Sequence, residues 1–203
     1  MTEKIIKSIY QEVYNLFPED NGKLELRYVC RNWIFPNHFE IMLDIIDKLC
    51  VKHQGDVLVC KLAALLHDTG LVYKRTCGSS QNHEERSIEF AELTLKKYNI
   101  TPKIRKEIIE CIKSTEPQHQ PHNTNGRIVR TADALSQFIS IHFIAKAAFA
   151  QDFDEYITWL SKKINTNFEK ICFEDEKKQA KPILDYYKNA LQLYMSKKNS
   201  VEK

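Results

Sequence analysis

Apolar residues recur along this chain every three or four positions, the spacing of one helix face, and almost nowhere on the two-residue period of a strand. Ile5, Ile6, Ile9, Val13 and Leu16 predict a first helix over 3–17, closed by a turn at 17–22. A second, short helix is expected over 24–33. Asn37 and Glu40 have the spacing of a capping box, and the helix they open carries His38, Met42, Ile45, Ile46 and Leu49 on its core face. From Val57 to Leu66 the only polar residue is Lys61, so this helix is apolar nearly all round and predicted to be buried. Gly70 is placed to end it as a left-handed C-cap. Asn82 and Glu85 repeat the capping pattern before a helix reaching Tyr98, and Thr101-Pro102 starts another whose inner stripe is Ile104, Ile108, Cys111, Ile112 and Thr115. Residues 127–140 follow with Ile128, Ala132, Leu135 and Ile139 inward.

Past Ile141 the chain is more polar. Residues 153–163 read as amphipathic, and 173–195 as one helix kinked or restarted at Pro182, with Tyr186, Tyr187, Leu191 and Tyr194 packing back on the domain. The tail from 197 is charged and expected to fray. The fold class predicted is all-α, a compact multi-helix bundle forming one domain over 1–203.

Composition narrows this picture. At 203 residues the core needs no disulfide or structural zinc. The six cysteines are scattered without a Cys-x-x-Cys pair, as buried reduced thiols of a cytoplasmic protein would be. The N-terminus lacks the apolar run of a signal peptide, and the longest apolar candidate span, 138–150, is interrupted by His142 and Lys146. A net charge of +3 with interspersed signs gives no basis for bulk nucleic-acid binding.

The chemistry begins at the end of the apolar helix, where His67 and Asp68 arrive side by side. A carboxylate leaving the most buried helix is costly without a cation, and a divalent metal answers that cost. Adjacent helical residues diverge by about 100°, so the two reach one ion only from a helix end. His38, on its own core stripe, is either a third ligand or a core histidine bonded to a carbonyl. Asp133 either joins them or pairs with Arg130 at i, i+3. Lys74 and Arg75 lie in the loop after the doublet, which is either a solvated loop or a cationic flap for phosphate oxygens. His83 and Arg86 fall in a first helical turn, where amides and dipole favour an anion.

His38, His67-Asp68 and Asp133, in this order and within Trp33-Ile-Phe-Pro-Asn-His38 and Arg130-Thr-Ala-Asp133-Ala-Leu, resemble the HD superfamily of metal-dependent phosphohydrolases. The resemblance implies an HD-like core over about 24–141, with helices over 142–196 packed on it. It implies a metal held by His38, His67, Asp68 and Asp133, catalytic roles for Asp68 and His83, and a small phosphorylated substrate such as a nucleotide. Lys74, Arg75, His83, Arg86 and Thr115 are the expected phosphate contacts. Two-metal branches of the family carry a histidine where this chain has Thr115, so one divalent ion is expected: manganese, iron, nickel, cobalt or magnesium. His119 and His122 are read as surface residues. The alternative is a nucleotide-sensing protein on the same fold without turnover. No Gly-Tyr-Pro motif accompanies the doublet, which disfavours cyclic dinucleotides.

Overall fold

The computed structural model describes residues 2–19, 29–74, 83–148 and 150–201. Its helices are α1 (Thr2–Leu16), α2 (Arg31–Ile34), α3 (Glu40–His53), α4 (Val57–Leu66), α5 (His83–Lys97), α6 (Pro102–Lys113), α7 (Thr124–Ile139), α8 (His142–Ala148), α9 (Phe153–Lys170) and α10 (Glu174–Val201). A π turn, Phe35–Phe39, joins α2 to α3, and a 3₁₀ turn, Thr69–Leu71, follows α4. No strand occurs among the described residues, so the fold is all-α. No helix of the described residues is long and apolar enough to cross a membrane.

The central element is α4, which packs against α1, α3, α6 and α7. Asp56 caps it, its side chain accepting the Val59 amide at 3.1 Å, and Leu62 through Leu66 are fully buried. The second wall is α7, whose residues Ile128 to Phe138 are all buried between α3, α4, α6 and α9. Ile139, expected on the inner stripe, is instead exposed because α7 ends there and the chain turns away.

Two local expectations are corrected by the backbone. Asn37 does not cap α3: α2, the π turn and α3 run on continuously, and Asn37 sits inside the turn with its amide nitrogen bonded to the Trp33 carbonyl. Proline inside a regular helix leaves a carbonyl without its donor and crowds the preceding turn, and the wider turn at Phe35–Phe39 accommodates Pro36. The helix expected over 24–33 begins only at Arg31, and 24–28 lie outside the described residues. At the C-terminal end α10 is helical to Val201, and 202–203 lie outside the described residues. Tyr186 also departs from expectation, being exposed, while Tyr187, Leu191 and Tyr194 are half-buried. The described cysteines are free thiols, four of them buried; Cys77 is not among them.

Gly70 is not a left-handed cap either. It lies within the 3₁₀ turn, and the positive φ of this segment belongs to Lys74, at 49°. Glycine is needed for close approach: a Cβ here would overlap the His83 carbonyl and lie 2.7 Å from the Ser87 amide nitrogen. The Gly70 amide donates to Ser87 Oγ at 2.8 Å and its carbonyl accepts from Arg86 Nε at 3.0 Å, fastening α5 onto the end of α4. Gly70→Ala is therefore expected to destabilise the fold by about 2–3 kcal/mol through overpacking against backbone. A urea midpoint equal to that of the parent would contradict this packing.

Candidate metal centre

Three structural devices bring His38, His67 and Asp133 to one point and set Asp68 beside both imidazoles. The π turn presents His38 and is braced by α1: Phe35 stands edge-on to Tyr14 and Phe17 at 4.8 and 5.8 Å, and Phe39 packs on Phe17 at 5.5 Å. His67 caps α4, and Asp68 leaves helical geometry at φ −106°, ψ 8°. That change lets two adjacent side chains face one place, which two successive helical residues cannot do. Asp133 projects from the middle of α7.

The ligand-bearing atoms are close. His38 Nε2 lies 3.2 Å from His67 Nε2, 3.5 Å from Asp68 Oδ2 and 3.6 Å from Asp133 Oδ1. His67 Nε2 lies 3.3 Å from Asp68 Oδ2 and 3.8 Å from Asp133 Oδ1. His38, His67 and Asp133 are 3–5 % exposed, whereas the Asp68 side chain, at 22 %, opens onto a cavity of about 380 Å³.

Hydrogen bonding fixes the imidazole tautomers. Ser136 donates its hydroxyl proton to the Asp133 carbonyl at 2.8 Å, so it must accept from His38 Nδ1, also at 2.8 Å. His67 Nδ1 donates to the Ala64 carbonyl at 2.7 Å. Each ring thus spends its neutral-state proton on Nδ1, and both Nε2 lone pairs face each other and two carboxylates. No donor lies between them unless a further proton or a cation enters. Burial opposes charge on His67, but Asp68, then Asp133 and the Ala64 carbonyl, outweigh it and push its pKa up to about 9. Burial likewise opposes ionisation of Asp68, and His67 and His38 hold it well below the ordinary carboxylate range. Two imidazoles and two carboxylates arranged around a demand for positive charge fit a divalent cation, with oriented Nδ1 partners of the kind metal-binding histidines have.

Asp133 divides its oxygens. Oδ2 is paired with Lys170 of α9, while Oδ1 faces the two imidazoles and accepts from Gln137 at 3.1 Å, itself held by Asn167 at 2.8 Å. Burial opposes its ionisation, and Lys170 followed by the two histidines overcome that and lower its pKa. Asp133 does not pair with Arg130. The Arg130 guanidinium instead donates to the carbonyls of Ser114, Glu116, Pro117 and His119, tying down the loop between α6 and α7.

The expected phosphate contacts fare unequally. His83 lines the cavity, with Nδ1 3.2 Å from Glu84, and so does Thr115, whose hydroxyl donates to the Ile112 carbonyl at 2.8 Å. Lys74 is turned outward by its left-handed backbone and paired with exposed Glu89, so it does not reach the cavity. Arg86 does not line it either; its Nε is spent on Gly70. Arg75 lies outside the described residues. His119 and His122 are exposed and apart from the cavity.

The cations that do line it come from the polar C-terminal half, which sequence reading passed over: Lys146 on α8 and Lys163 and Lys170 on α9. Burial, reinforced by Lys163, depresses Lys146 to about 8, and burial followed by Lys170 lowers Lys163. His142, beside His38 at 6.4 Å between ring centroids, is kept neutral chiefly by burial, its pKa pulled down to about 3. A signal was present: Lys163 and Lys170 fall seven residues apart, among the buried Leu160, Ile164 and Asn167. A cation on the wet side of a helix has no reason to keep that register.

Comparison with known proteins agrees with this geometry. No curated protein matches the sequence. Among solved structures, the Lin1889 protein of Listeria innocua is similar in fold, with a TM-score of 0.62 and 19 % identity over 95 % of this chain and 94 % of that one. Residues 37–137 match the HD domain family, a segment that contains every residue of the cluster. With the His-Asp doublet closing the buried helix and its partners arriving from the π turn and from α7, the chain belongs to the HD-domain superfamily.

Proposed function

We propose that this chain is a metal-dependent phosphohydrolase that cleaves a phosphate ester or anhydride of a small metabolite, a nucleotide foremost, by direct attack of water. HD domains bind divalent metals and are generally metal-dependent hydrolases. The observation that carries the reading for this chain is the pair of facing Nε2 lone pairs and two carboxylates at the base of a cavity walled by lysines. His38, His67, Asp68 and Asp133 would hold the ion, which when bound lowers the pKa of water toward roughly 7 and polarises a phosphoryl oxygen.

Asp68, the more exposed of the two acids at the cavity, orients the attacking water; its depressed pKa makes it a hydrogen-bond acceptor and a weak base. The water oxygen bonds to phosphorus, the P–O bond breaks with its electrons on the departing oxygen, and that oxygen takes up a proton of the water. His83, at the cavity wall, steadies the phosphoryl oxygens or relays that proton.

One ion is expected, because among the described residues the cluster able to hold a metal is the one at His38, His67 and Asp133, and the Thr115 hydroxyl is committed to a carbonyl. Protein saturated with manganese and desalted should retain one equivalent and release phosphate across a nucleotide panel. Retained metal without phosphate release would leave a binding protein on this fold. Two equivalents, the second lost in His83→Ala, would contradict the single site.

A further inference from the structure

We infer that the substrate presents a single phosphoryl group on an ester, in preference to a polyphosphate, and that Lys146 and Lys163 are the residues that grip it. This rests on the phosphohydrolase reading above and adds to it a substrate class. Both lysines lie beyond the segment 37–137 that matches the family, so they belong to this chain's own C-terminal helices.

On α9 the residues Trp159, Lys163 and Lys170 line the cavity at intervals of four and seven, one face of a helix. Lys170 is fixed at Asp133, and Lys163 stands two turns away, about 10 Å along the wall. Lys146 comes from α8 with its ammonium 5.1 Å from the Trp159 ring centroid, a cation–π contact that holds it at the cavity. Lys163 makes no ion pair among the described residues although it is recessed in the wall. Withdrawing an ammonium from water without a counter-anion is costly, and an arriving phosphoryl group supplies the anion.

Charge decides how much anion fits. Asp68 and Asp133 offset a divalent ion, and against the three lysines the lining sets Glu84 and Glu116, which leaves a small positive excess. Among the described lining residues that excess is about one charge; a phosphomonoester, with about two negative charges, comes within one of balancing it, whereas a triphosphate brings roughly twice as many. Surplus like charges a few ångströms apart in a recess cost about 1 kcal/mol each or more. Volume agrees: about 380 Å³ is near the lower end of small-molecule sites, and Trp33 and Trp159 add aromatic surface to the wall for the alcohol portion.

The test uses manganese-loaded protein, thymidine 5′-monophosphate against thymidine 5′-triphosphate and inorganic pyrophosphate, and calorimetric binding of inorganic phosphate. The monophosphate should be favoured at least tenfold in kcat/KM. Lys146→Met and Lys163→Met should each weaken inorganic phosphate at least tenfold and raise KM, with metal content and melting temperature kept. Preference for the triphosphate or pyrophosphate, or parental phosphate affinity in both variants, overturns this inference and leaves the phosphohydrolase reading standing. No phosphate release from any substrate overturns both.

Discussion

Replacing Asp68 by alanine is expected to lower phosphate release by at least three orders of magnitude and to lower bound manganese with it. The side chain is placed twice over: its Oδ2 lies within 3.5 Å of both imidazole nitrogens, and it is the most exposed of the four at the cavity. Loss of the carboxylate removes one negative charge facing the ion and the acceptor that orients water, so binding and chemistry fall together. Asp68→Asn separates the two. It keeps shape and one oxygen, and should retain more metal than alanine while staying as poor in turnover. Metal content and phosphate release measured on the same preparations decide the matter. Full metal occupancy in Asp68→Ala would remove Asp68 from the ligand set.

Lys170→Met is expected to show the largest effect on stability, and one that depends on metal. Lys170 and Asp133 are each about 5 % exposed and paired with one another. Breaking such a pair leaves a buried carboxylate uncompensated, which costs about 3–5 kcal/mol. A divalent ion bound at Oδ1 supplies the missing positive charge, so saturating manganese should recover much of the loss. By linkage the variant should then bind the ion more tightly than the parent does, since metal stabilises it more. Urea unfolding with and without manganese reads both arms. An equal deficit in the two conditions would show that Asp133 does not hold the ion.

The four residues converging here were legible because each broke a pattern that burial normally enforces. His38 sat on a core stripe, His67 and Asp68 ended an apolar helix, and Asp133 lay between alanines. The phosphate side was less legible for physical reasons. Proximity in sequence to the doublet suggested Lys74, yet a left-handed backbone turns it to Glu89. Lys163 and Lys170 carry the same register signal as the ligands, but a lysine beside an apolar stripe also reads as a stem laid along the surface. The capping box at Asn37 failed because local spacing carries no information about what Pro36 makes of the preceding turn. The need for glycine at position 70 is set by α5, which meets it from 13 residues further along the chain, and local spacing holds no trace of that approach.

The Arg130 guanidinium bears on how ligands enter and leave. Thr115, Glu116 and Pro117 form one edge of the cavity, and Arg130 holds four carbonyls around that edge from the helix that carries Asp133. Swinging this edge outward breaks all four bonds. At about 1 kcal/mol net for each, the opened form would be populated at roughly one part in a thousand. The edge formed by Thr115, Glu116 and Pro117 is therefore a fixed jamb, past which ligands move without displacing it. Turnover limited by product escape would then owe little to motion of this edge.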